Sequence, residues 1–397
     1  MAAKPLVWLW MVAAVAAFGD TFVVLPFANL SRNPNLDWIG ESIADEMRET
    51  LAANGMIVLD RNAREEGYKR LGIRQNVLLT RASVMKLAEA LDAEQVVYGE
   101  FEFQPAPAGT TPATRGTLKV IGHVLDRKNL RQGPEFSELG ALEDLAAIQN
   151  RVGWRALHTL HPEGAPPIEE YMASKPLYRV DAIENYVRGV LATNPDLQHR
   201  YYTNAIRLEP SLSRVHFRMG MLHYGRKEYK LAMDEFAKVL PQNSHYRESQ
   251  FFVGVCKFRT SDFAGAQAAF EQVGKDIPLS EVLNNIGVAQ ARRNMPAEAL
   301  DTIRKALEGD PTDPIYQFNM GLMLWKRGQL DEAAEHFQIA VDRDPADVES
   351  QTMLTRCQKK QGPRPQDRMD FRERLKTEYE ETAWLQLKSM LQPSSKE

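Results

Sequence analysis

The chain has 397 residues, of which 44% are hydrophobic and 26% charged, enough apolar material to bury two or three separate cores. Its 49 basic and 53 acidic side chains give a formal net charge of -4, so the basic field of a nucleic-acid binder is missing and nucleic acid is excluded as an expected partner. The two cysteines, Cys256 and Cys357, lie far apart with no Cys or His at metal-ligand spacing, and both read as small buried apolar residues rather than as a disulfide.

Residues 1–19 have the layout of a secretory signal. Lys4 precedes an apolar run from Leu6 to Ala17, and the small residues of "AAFGD" offer cleavage after Ala17 or Gly19. The run is too short for a comfortable transmembrane helix. The expectation is an exported or periplasmic protein without an integral span after cleavage, with an uncleaved N-terminal anchor as the alternative.

From Asp20 to about Pro162 the pattern alternates between strand and helix. "TFVVLPF" reads as a short buried strand, and "LDWIGESIADEMRETLAANG" places Ile39, Ile43, Met47 and Leu51 on one helical face, with Asp37 as N-cap and "NG" at 54–55 as the stop. "MIVLD" is a second strand. A second helix starts near Thr80, where Val84, Leu87, Ala88 and Leu91 share a face, and leads into "VVYGEFEF". On that strand Val97, Gly99, Phe101 and Phe103 face one way, Glu100 and Glu102 the other. "QPAPAGTTPATRG" is a loop, and "TLKVIGHVLD" returns as the second strand of a hairpin. An α/β sandwich over 20–162 is expected.

"LPFANLS" (25–31), the acidic helix after it, Gly99 on its strand, Asp126 at the hairpin exit and "DLAAIQNRV" (144–152) together resemble the domain similar to the TolB amino-terminal region. The resemblance covers roughly 140 residues. It implies a mixed sheet flanked by helices, linked to bacterial envelope or sensory systems, with no catalytic residues to carry over.

"PEGAPPIEEYMASKP" is rich in proline and reads as a linker or irregular bridge over 163–178. Beyond it the chain repeats. Glycines at 220, 254, 287 and 321 are spaced by 34, 33 and 34 residues. Alanines at 232, 266, 299 and 333 keep the same spacing, as do Phe236, Phe270, Ile303 and Phe337, and prolines at 278, 311 and 345 close three of the units. Small residues let two helices cross closely, a large one fills the wedge between neighbours, and proline ends the second helix. This period and residue order resemble the tetratricopeptide repeat. The expected architecture is an all-α solenoid over 179–360 with units at about 213–246, 247–279, 280–313 and 314–347. A divergent first unit spans about 179–212, where Gln198 takes a position usually held by a small residue, and 361–397 is expected to cap the array.

A single hairpin of this size cannot offset its ordering entropy, so stability is a nearest-neighbour property and stacking creates a curved groove. The resemblance implies that helix residues opposite the packing glycines line it: Arg218, Tyr224, Phe258, Arg259, Asn284, Asn285, Arg292, Asn319, Trp325 and Lys326. Arg259, Arg292 and Lys326 would form a basic row suited to an acidic peptide or terminal carboxylate, with the Asn amides holding its backbone. Phe217, Met221, Phe251 and Val255 depart from the Lys and Asn of the carboxylate-clamping subset. A merely solvated charged face is the plain alternative.

Signatures of chemistry are thin. P-loop, G-x-G-x-x-G, H-E-x-x-H and G-x-S-x-G motifs do not occur. "HTLH" (158–161) places His158 and His161 one turn apart without a third ligand, His216 and His223 fall at packing positions, and Glu100 with Glu102 are alternate residues of one strand. No catalytic residue, metal or cofactor is expected. The sequence reads as a non-enzymatic envelope scaffold that holds a partner segment in its repeats. The alternative is a sensory or regulatory protein whose amino-terminal domain binds a small ligand or has an undetected activity.

Overall fold

The computed structural model describes residues 20–31, 33–74, 77–107, 115–364 and 372–391. The expected signal segment, part of the Pro-rich loop and the end of the C-terminal tail lie outside these.

The amino-terminal part runs β1 (Thr21–Val24), β2 (Ala28–Asn29), α1 (Trp38–Ala53), β3 (Ile57–Val58), α2 (Arg61–Leu71), α3 (Arg81–Ala90), β4 (Gln95–Pro105), β5 (Gly116–Asp126), β6 (Arg131–Gln132), β7 (Phe136–Ala141) and α4 (Leu145–Leu160). The strands form one mixed sheet in the order β3-β1-β4-β5-β6, with β2 beside β4 and β7 beside β5. β1 pairs with β3 and β4 in parallel, while β4 and β5 form a long antiparallel hairpin in register from Gln95↔Asp126 to Pro105↔Gly116. Period-2 alternation sends side chains to opposite faces. Val24, Val97, Phe101 and Val120 pack with Ile39, Ile43 and Met47 of α1 and with Ile148 and Val152 of α4. Val23, Leu25, Val96 and Leu125 pack with Tyr68 of α2 and with Val84 and Leu87 of α3.

The "LPFANLS" stretch has a mechanical role. A Cβ on Gly99 would lie 2.1 Å from the Ile121 carbonyl oxygen and 2.5 Å from the Phe27 ring, so Phe27 seats where only glycine leaves room. Asn29 donates to Asp37 Oδ1 at 2.7 Å, and the Ser31 hydroxyl accepts from the Phe103 amide at 2.7 Å, tying this loop to α1 and to β4. α2 and β7 escaped the sequence reading. α2 has few apolar residues, yet Asp60 caps it, accepting from Ala63 N at 2.8 Å.

The segment expected as a linker is built into the molecule. It contains α5 (Ile168–Ser174), whose Tyr171 is buried with its hydroxyl 2.8 Å from Thr50 Oγ1 of α1. Trp154 of α4 adds a hydrogen bond from its indole N–H to the Pro166 carbonyl at 2.8 Å.

Helical hairpins follow: α6 (Val180–Leu191) with α7 (Pro195–Leu208), α8 (Ser213–Gly225) with α9 (Tyr229–Phe236), α10 (Tyr246–Arg259) with α11 (Phe263–Val273), α12 (Ser280–Arg292) with α13 (Pro296–Gly309), and α14 (Pro314–Lys326) with α15 (Leu330–Arg343). α16 (Val348–Gln358) is half of a further unit. The repeated glycines do what the spacing implies. A Cβ on Gly220, Gly254 or Gly287 would stand 2.6, 2.7 or 2.6 Å from Phe236, Phe270 or Ile303, and Gly321 meets Phe337 in the same way. The divergent first hairpin makes the same close approach with a different pair, Gly189 against the Tyr202 ring. Gln198 bonds the Ala192 carbonyl at 2.7 Å, closing the α6–α7 turn.

α1 is covered on both sides. Its apolar stripe faces the sheet, Glu41 pairs with Arg61 and Arg64 of α2, and Asp45, Glu46 and Glu49 face the repeats. Arg214 of α8 bonds Asp45 at 2.9 Å and pairs with Glu46; Tyr186 of α6 donates to Asp45 at 3.0 Å; Ser244 Oγ, ahead of α10, donates to Glu49 at 2.7 Å. Burial alone would raise the Asp45 carboxyl, but Arg214, Arg48 and Arg218 around it hold it well below the usual carboxylate range.

The described residues 372–391 of the C-terminal segment do not cap the last repeat. Residues 372–380 run extended back along the array, and α17 (Glu381–Leu391) lies beside α10 and β3, with Glu381 paired to Arg247.

Candidate functional site: the inner face of the repeats

The first helices of the later hairpins present a polar strip, and the chain's own residues 373–381 lie in it. The segment passes from α16 across α14 and α12 to α10, against the order of the repeats.

Two asparagines hold its backbone from both sides. Asn319 Oδ1 accepts from Arg374 N at 2.7 Å while its Nδ2 donates to Arg374 O at 2.8 Å. Asn285 repeats the pattern two residues on, accepting from Lys376 N at 2.8 Å and donating to Lys376 O at 2.9 Å. Successive residues of an extended chain point to opposite sides, so alternate ones meet the same surface. Asn284 joins the pair, donating to Arg374 O at 3.1 Å and accepting from Asn319 Nδ2 at 2.8 Å. All three asparagines are fully buried, and the segment's backbone satisfies them. Farther along, Glu281 Oε1 accepts from Glu380 N at 3.0 Å; burial pushes this carboxyl up.

Charged side chains sort the segment's residues. Lys326 Nζ meets Glu373 at 2.5 Å. Arg374 reaches Asp347 at 2.5 Å and Glu349 at 2.7 Å, with its guanidinium 3.5 Å from the centre of the Phe318 ring. Lys376 reaches Asp313 at 2.5 Å. Burial tends to raise Asp347, but hydrogen bonds from Arg374 and Ser350 outweigh it and hold the carboxyl down at about 2. Tyr379 packs on Phe251 with ring centres 5.4 Å apart, and Trp384 lies under Arg247 at 3.5 Å.

The structure therefore gathers Asn284, Asn285, Asn319 and Lys326 of the expected groove set on one bound segment. It does not gather the others. Trp325 and Phe258 are packing residues: Trp325 is 1% exposed with its indole bonded to the Gln361 carbonyl at 2.9 Å, and Phe258 is buried against Phe263. Tyr224 packs edge-on to Phe252. Arg218 belongs to the junction with α1, buried among Asp45, Tyr186 and Tyr202. Of the basic row, only Lys326 touches the segment; Arg292 spreads over the Phe258 and Phe263 rings, and Arg259 is exposed close to Tyr224. The segment is also of mixed charge rather than acidic, because the strip offers carboxylates as well as a lysine.

Those carboxylates were missed from sequence, although a signal existed. Asp313 and Asp347 recur at the repeat spacing in "DPTD" and "DPAD", where each also caps the next helix. Phe251, a departure from the clamping subset, serves as the aromatic seat of Tyr379.

Elsewhere the candidate groups are structural. Cys256 and Cys357 are free and buried, and burial raises their thiols to about 12 and about 11. His216 bonds Glu235 and the Pro210 carbonyl, His223 bonds Glu228, and His158 stacks on Trp154. Among the described residues no three His, Cys, Asp or Glu side chains gather as a metal cluster, and no helix is long and apolar enough to cross a membrane.

Comparison with known proteins finds the same repeat. The tetratricopeptide repeat model matches residues 257–314 and 284–348. Curated relatives are Photosystem I assembly protein Ycf3 of Synechococcus sp. strain CC9605, 30% identical over 112 residues covering 27% of this chain and 65% of the relative, and that of strain CC9902, 27% identical over 129 residues covering 29% and 75%. The chain thus spans about 65% of the length of the first curated relatives it matches. Similar solved structures include Pseudomonas aeruginosa pilF, 18% identical with a TM-score of 0.40 over 45% of this chain and 83% of that one. Another is MamA of Desulfovibrio magneticus RS-1, 20% identical with a TM-score of 0.37 over 41% and 92%. Residues 257–348 are thus tetratricopeptide repeats, and this stretch carries Asn284, Asn285, Asn319 and Lys326.

Proposed function

We propose that the protein is a non-enzymatic interaction scaffold whose repeats hold an extended protein segment along their inner face. The observation that carries this reading is the pair of two-sided amide contacts, Asn319 to Arg374 and Asn285 to Lys376. Such contacts bind backbone whatever its sequence, while the flanking Lys326, Asp313 and Asp347 choose side chains. The curated relatives are named as assembly proteins, which suits a holding role. We place the scaffold in the bacterial cell envelope, exported by the signal-like segment over 1–19, with the sheet region as a TolB-like domain that docks a second partner. The division into 20–162 and 179–360 belongs to the same proposal, with 163–178 packed on α1 instead of forming a free linker and the described residues 372–391 laid along the repeats.

The test is in intact cells. A photo-crosslinking residue at Lys326 should join the scaffold to a defined partner, and Asn285→Ala with Asn319→Ala should reduce that product at least tenfold. Equal yield in both backgrounds would remove the inner face from the function, and fractionation of the same cells checks the compartment.

A further inference from the structure

The strip that serves as the candidate partner site is already filled by the chain itself. We propose that residues 372–380 are an exchangeable internal ligand, and that the partner competing with them is an extended segment of the same charge order: a carboxylate, cations one and three residues later, and an aromatic six residues later. This inference rests on reading the inner face as a segment-binding site.

The charge order comes from the contacts. Lys326 takes the carboxylate of Glu373, Asp347 and Glu349 take the guanidinium of Arg374, Asp313 takes the ammonium of Lys376, and Phe251 seats the Tyr379 ring. Opposite charges at fixed spacing discriminate through the repulsion that a wrong segment meets as well as through attraction. A wholly acidic peptide would face Asp313, Asp347 and Glu349.

Exchange follows from how the segment is held. The hairpins beneath it are closed by pairs of their own, Gly287 with Ile303 and Gly321 with Phe337, in which no tail residue takes part. The floor under 373–376 offers amides, carboxylates and Lys326, which water can satisfy once the tail leaves, beside the Phe318 and Tyr316 rings that lie under Arg374 and Lys376. The apolar anchors are few: Tyr379, Trp384 and Leu385 are buried, and Leu375 is half-buried. One of them is imperfectly accommodated, since the buried Trp384 indole N–H has no acceptor among the described residues. The same helix walls a cavity of about 840 Å³ with Arg61, Tyr202 and Arg218, so release of the tail would open the junction region together with the inner face.

Tethering sets the resting state. A covalently linked segment acts at an effective concentration on the order of millimolar, so a free competitor of equal intrinsic affinity is strongly suppressed until it matches that figure.

The experiment uses the full-length chain and a fluorescein-labelled peptide with the sequence of residues 371–381, FRERLKTEYEE, read by fluorescence anisotropy. Arg374→Glu with Lys376→Glu places like charges against Asp347 and Asp313 and should expel the tail. Trp384→Ala weakens the anchor without altering the strip. Both chains are expected to bind the peptide at least tenfold more tightly than wild type, and adding Asn285→Ala and Asn319→Ala to either should abolish the gain. A peptide with its arginines and lysine changed to glutamate should bind at least tenfold more weakly. Equal affinity of wild type and both tail variants would overturn exchange while leaving the segment-binding site standing. Failure of all chains to bind would overturn both. Preference for the acidic peptide would overturn the partner chemistry, and a concentration-dependent dimer with exchanged tails would make the occupant a second copy rather than a partner.

Discussion

Gly99 and Gly254 both look like close-approach glycines, yet they differ in what resists a side chain. At Gly99 the obstacle is the backbone oxygen of Ile121 across the hairpin, which cannot move without parting β4 from β5. At Gly254 it is the Phe270 ring at 2.7 Å, at the end of a side chain that can yield. Gly99→Ala should therefore cost at least about 2 kcal/mol of overpacking. Gly254→Ala should cost less, because about 1 kcal/mol of improved helix propensity offsets part of a similar clash. Urea unfolding of the two variants checks the order, and an equal or reversed cost would contradict it. The glycine period made the helix crossings legible, because one atom of added size decides whether two helices meet, whereas "LPFANLS" and Gly99 stood out only through the family resemblance and their contact comes from the fold.

Among the elements, the tail is where sequence and structure part most clearly. Its amphipathic look suggested a cap on the last hairpin, but the asparagines of α12 and α14 demand a backbone partner and residues 374–376 supply one. Sequence could mark Asn284, Asn285, Asn319 and Lys326 as groove positions because they keep fixed places within a repeat. It could not show the occupant, since an extended segment has no period, nor separate Trp325 and Phe258 from the lining, since an aromatic near an inner face can point either way. α2 was missed because its apolar content is low, although the Asp60 cap announced it. The tail's docking is sensitive to acid. Asp347 is held at about 2, below the usual value of about 3.9, so its bond to Arg374 contributes in full above about pH 4 and is lost as the pH falls through about 2. A spin label on Glu378→Cys, readable because Cys256 and Cys357 are buried, should be immobilised at neutral pH and loosen across this window. With Asp347→Asn added, the label should be looser at neutral pH and show a smaller dependence, the remainder coming from Asp313, Glu349 and Glu373. An unchanged lineshape in the parent chain across the window would contradict the assignment.

For the molecule as a whole, α1 is the element that joins the parts. Its apolar stripe was readable, but the partners of Asp45, Glu46 and Glu49 were not, because Arg214, Tyr186 and Ser244 lie far along the chain and only the fold brings them to it. Arg214→Ala would leave Asp45 and Glu46 in the junction without their main partner, at a cost of about 3 kcal/mol. The expected melt is two separated transitions in place of one, and a calorimetric trace matching wild type would contradict a coupled junction. The most direct test of the central claim is amide hydrogen exchange at Arg374 and Lys376 in the full-length protein, compared with Asn285→Ala/Asn319→Ala. Both amides should be strongly protected in the wild-type chain and exchange at free-peptide rates in the variant. Free-peptide rates in the wild-type chain would mean that the asparagines do not hold this segment.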